Sequence, residues 1–72
     1  MKTLNITVIL KKTKDEEIII IGVFTGKAKA METYASTVKE VGIANVKSKE
    51  LSINTSIAEW IKEVDLDELW RS

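Results

Sequence analysis

Leu4, Ile6, Val8 and Leu10 alternate with Asn5, Thr7 and a less regular Ile9. A period of two with β-branched residues predicts a half-buried strand over 3–11. The charged run Lys11 to Glu17, KKTKDEE, reads as a turn. The apolar run that follows predicts a second strand over 17–24 and a hairpin with the first. By simple alternation, one face carries Ile18, Ile20 and Phe24 with Gly22 in the row. The other carries Ile19, Ile21 and Val23. The period then changes to that of a helix over 26–41. Ala30, Met31, Tyr34, Ala35, Val38 and Val41 form an apolar stripe opposite Lys29, Glu32, Thr33, Ser36, Lys39 and Glu40. Thr25 suits the N-cap. Gly42 suits a left-handed stop, with Ile43 making the hydrophobic contact that closes it. A third strand is expected over 46–54, and its polar start, Lys47-Ser48-Lys49, suits a sheet edge. Ser56 and Glu59 form a capping box for a helix over 57–64, with Ile57, Trp60, Ile61 and Val64 at helical spacing. Leu66 leaves that stripe. Asp65 and Glu68 can cap one further turn that carries Leu66, Leu69 and Trp70, giving a short acidic tail over 65–72.

The order β-β-α-β-α predicts one α+β domain over 1–72. It has a small three-stranded sheet, the long helix on one face and a C-terminal helix. A right-handed crossover carries the chain from strand two to strand three. The pattern leaves strand three free to lie beside strand one or strand two. Strand two is apolar on both sides, so the second sheet face needs a cover, from the C-terminal helix or from another chain.

Composition changes the picture mainly by exclusion. The 72 residues include no His, Cys or Pro. Without Cys there is no disulfide staple and no thiolate nucleophile. Without His there is no Ser-His pair and no imidazole proton shuttle. An enzyme is therefore not expected, and neither is a cofactor. A core this small supplies only about 3–5 kcal/mol, which favours oligomerisation or partner binding as support. Residues 1–10 lack the apolar core of a leader peptide, and no run reaches membrane-span length. A cytoplasmic protein is expected.

Eleven basic and eleven acidic residues give a net charge of zero. That zero is a sum of opposites. Residues 1–55 carry nine lysines against six acids, and residues 56–72 carry five acids against Lys62 and Arg71.

Three places carry candidate chemistry. Thr25, Gly26 and Lys27 open the long helix, where free N–H groups and the positive dipole end suit a small anion or nucleotide phosphate. The plainer reading is an ordinary helix start with a solvated lysine, and the Walker A pattern is absent. Lys11, Lys12 and Lys14 are followed at once by Asp15, Glu16 and Glu17, so a solvated turn fits better than a nucleic-acid contact. Asp65, Asp67 and Glu68 lack the spacing of a calcium loop, and no metal site is expected. Trp60, Leu66, Leu69 and Trp70 give the tail a large apolar surface. Trp is enriched at interface hot spots. The tail can dock on its own domain, within a dimer, or on another protein.

The junction Gly22-Val23-Phe24-Thr25, followed by Lys29-Ala30, resembles a strand-to-helix signature of small ββαβ phage and bacterial proteins. Leu51, Ile53 and Trp60 are weaker counterparts of a later strand followed by Trp. In that family charged residues usually precede the Lys, where this chain has Gly26-Lys27-Ala28. The resemblance covers about residues 4 to 60. It implies a ββαβ fold and a phage or mobile-element setting, with no defined activity. Together these features point to an accessory protein acting by protein–protein binding. Its partner is a host protein, such as a defence factor to be inhibited or modulated, or a second copy in a homo-oligomer. An anion- or nucleotide-binding module and a structural homo-oligomer are the alternatives.

Overall fold

The computed structural model describes residues 3–72, so the first two residues of the segment read for a leader lie outside it. Strands β1 (Leu4–Lys12) and β2 (Ile18–Phe24) form the hairpin. Helix α1 (Lys27–Val41) leads through a single 3₁₀ turn (Ile43–Asn45) to β3 (Val46–Ile53). Two short helices, α2 (Ile57–Glu63) and α3 (Leu66–Arg71), complete the chain. This is the expected α+β arrangement.

The strand order left open by the sequence is β2-β1-β3, with both pairings antiparallel. The central place of β1 has a residue-level cause. Val8, Ile9 and Leu10 are the three largest fully buried side chains. Three consecutive apolar residues can all be buried only in a strand covered on both faces. Ile9, the irregular position in the alternation, packs with Ala30, Val46, Phe24, Tyr34, Val38 and Val41 beneath α1. Ile6, Val8 and Leu10 point the other way, into a core shared with Ile53, Leu69 and Trp70. The second face is thus covered by the chain's own α2 and α3.

Simple alternation along β2 does not hold. Ile9 pairs with Gly22, but Leu10 pairs with Ile20, so Ile21 is an extra residue in a bulge. Ile18 and Ile20 therefore share a face with Val23, while Phe24 falls on the α1 side with Ile9. The Phe24 ring lies over Gly22. A Cβ at Gly22 would come within 2.6 Å of two ring carbons, so the glycine makes room for that ring.

The α1 stripe is also turned from its expected face. Thr37 is buried and Thr33 half-buried, whereas Met31 and Ala35 are exposed. Thr37 is tolerated inside because its hydroxyl donates to the Thr33 carbonyl at 2.7 Å. Two helix-end expectations are corrected as well. The N-cap is Gly26, not Thr25, and it makes no side-chain cap. Gly42 has φ 90° and ψ 150°, so it opens the 3₁₀ turn and not a Schellman stop, and Ile43 is left exposed. Asn45 takes over the capping, its side-chain amide donating to the Val41 carbonyl at 2.9 Å.

The C-terminal caps follow local sequence. Ser56 accepts from the Glu59 N–H, and Asp65 accepts from the Glu68 N–H, each at 3.2 Å. The break between them at Val64 and Asp65 lets α3 turn Leu66, Leu69 and Trp70 onto the sheet.

Candidate functional site

The start of α1 borders an open cleft of about 360 Å³, lined by Asn5, Thr7, Thr25, Lys27, Glu50 and Ser52 among others. Gly26 lies at the helix start but does not line this cleft. The first turn has neither an acidic residue nor a side-chain cap, so its N–H groups are unneutralised. Lys27, however, already faces a carboxylate: its Nζ is 3.4 Å from Glu50 Oε1 on β3. A phosphate entering the cleft would meet that carboxylate along with the lysine, and like charge opposes its binding.

The tail residues have a different fate. Leu69 and Trp70 are each 9% exposed and belong to the core, with Trp60 and Leu66 packed against it. The tail docks on its own sheet through both apolar and charged contacts. Lys47 Nζ sits 4.8 Å from the Trp70 ring centroid, and Lys12 Nζ sits 5.9 Å from it. Both distances lie within the range of cation–π attraction. Lys47 Nζ also donates to the Trp70 main-chain oxygen at 2.6 Å, and Lys49 Nζ donates to that of Ser72. The basic body and the acidic tail thus meet partly through lysines on main-chain oxygens and a tryptophan ring.

With the tail in place, Ile19 and Ile21 on β2 stay exposed, as do Met31, Ile43 and Ile61 on other elements, but among the described residues only β2 joins exposed apolar side chains to an outer strand. This strand is an outer strand, bonded to β1 alone. Among the described residues, no hydrogen bond from outside the sheet ladder reaches the main chain of Ile18–Phe24. The strand holds no charge in seven residues, and Ile19 and Ile21 are 36% and 38% exposed. Sequence reasoning found the two-sided apolar run but could not assign its outer position, because that depends on where β3 pairs. The signal present in the chain was the contrast between an uncharged β2 and a lysine-bearing β3.

One end of this edge is acidic. Glu16, Glu17, Asp65 and Asp67 line a shallow depression beside Ile18. Among the described residues, no three carboxylates converge as metal ligands would. The turn itself is closed by Thr13, whose hydroxyl accepts from the Glu17 N–H at 3.1 Å, with Glu16 at φ 64°. The other end of the edge leads into the uncapped start of α1 and the exposed Lys29. Compared with known proteins, the chain matches no family model, no curated protein and no solved structure.

Proposed function

We propose that this chain is a non-catalytic binding protein that captures another protein along the open β2 edge. The supporting observation is an outer strand of seven uncharged residues whose outward main-chain groups have no partner among the described residues. Such an edge accepts an added strand. Main-chain hydrogen bonds then supply affinity, and side chains such as Ile19 and Ile21 supply selectivity. The absence of His and Cys fits contact better than catalysis. The resemblance at Gly22–Thr25 and Lys29-Ala30 supports an accessory role in a phage or mobile element, with a host protein as the target.

The test is capture from host lysate by the wild type, by Ile21→Lys and by Lys62→Ala as a surface control. Retention by the wild type and the control, with loss in Ile21→Lys, is expected. Hydrogen exchange on the complex should then show new protection in Ile18–Phe24. A partner held equally well by Ile21→Lys would sink the reading.

A further inference from the structure

We infer that the β2 edge pairs with the β2 edge of a second copy, antiparallel about a twofold axis between Ile20 and Ile21. The inference rests on the reading of β2 as a docking edge and names the occupant that a host target would have to displace. The bulge restricts the register. Ile18 and Val23 lie on the tail-covered face, and Ile19 and Gly22 lie on the α1 face. Residues opposite one another in an antiparallel pair must share a face. A centre between Ile20 and Ile21 satisfies this for both pairs: Ile18 lies beside Val23 of the second copy, and Ile19 beside its Gly22. The exposed Ile19 then meets the Phe24 ring that lies over that glycine.

Charge favours the antiparallel arrangement. In this register Glu16 and Glu17 run alongside Thr25 and Phe24 of the second copy, at the start of its α1. That helix start has no acidic residue and no side-chain cap of its own. Lys29 is exposed there and forms no ion pair among the described residues. It lies about 200° round the helix from Lys27, which is turned toward Glu50. Acids at one end of β2 thus face a positive helix end at the other, and the twofold makes the match twice. A parallel pairing would set acid beside acid.

Sedimentation equilibrium from low to high micromolar concentration tests this. The wild type should show a monomer–dimer equilibrium. Ile21→Lys should weaken it about tenfold or more, since like charges meet near the axis. Circular dichroism should confirm that the variant keeps its fold. Glu17→Lys and Lys29→Glu should each weaken the dimer, and combining them should restore it to within about threefold of wild type. A dimer indifferent to Ile21→Lys, or a double variant no better than the singles, overturns the pairing. A monomer at every concentration overturns self-pairing alone. Capture of a host protein that depends on Ile21 would still carry the docking reading.

Discussion

The two outer strands of the sheet solve the same problem in opposite ways. Each is bonded to β1 on one side only, with no further strand among the described residues on the other. On β3, residues Lys47 to Glu50 are all polar or charged, and Lys47 and Lys49 also hold the C-terminal segment. Charged side chains keep such an edge from recruiting further strands. On β2 there is no charge from Ile18 to Phe24, and the bulge at Ile21 is the one interruption. Of the lysines that guard β3, Lys47 also holds Trp70 and Lys49 holds the Ser72 main chain, so that edge is committed to the fold. The β2 edge is left available. In a domain this small, edge chemistry distinguishes an edge that holds the molecule closed from one that stands open.

The comparison breaks most readily at Trp70. Trp70→Ala should cost about 3–5 kcal/mol in urea denaturation, because it empties the core beneath the tail. A cost below about 1 kcal/mol would mean that the tail does not close the sheet. Lys47→Met keeps the stem but removes the hydrogen bond and the ring contact, and should cost about 1–2 kcal/mol. Asp65→Ala removes the α3 cap and should cost about 1 kcal/mol, read from the shift in denaturation midpoint. On the other edge, Ile21→Lys should change the monomer's unfolding free energy by less than about 0.5 kcal/mol while weakening edge pairing about tenfold or more. Smallest of all, Lys27→Gln breaks an ion pair whose side chains are 80% and 66% exposed. It should move stability by no more than about 0.5 kcal/mol.

Much of the fold was legible because its elements carry local signatures. Ser56 and Asp65 are capping residues placed three positions before Glu59 and Glu68, and both caps form. Where the reading failed, a long-range contact overrode a local pattern. Alternation along β2 misplaced Phe24 because a bulge is defined only against the partner strand. The α1 stripe missed Thr37 because a threonine that bonds its own helix can be buried. Gly42 was read correctly as a stop but not as the start of a 3₁₀ turn, which depends on Asn45 reaching back to Val41. For the candidate site, Lys27 looked like a free cation until β3 brought Glu50 beside it. The sequence left Trp70 free to dock on its own domain or on another chain, and α3 turns it between Lys12 and Lys47.

By itself, the sequence determined the element types, their order and the α+β class. These follow from periodicity and caps, interactions spanning a few residues. It also determined that chemistry needing His or Cys is absent. The tertiary structure alone decided that β1 is central, that the tail covers the second sheet face and that β2 stands open. Each of those depends on pairing between segments far apart in the chain. Many such pairings satisfy the local pattern equally well, and only the one that buries Val8, Ile9 and Leu10 on both faces at once is realised.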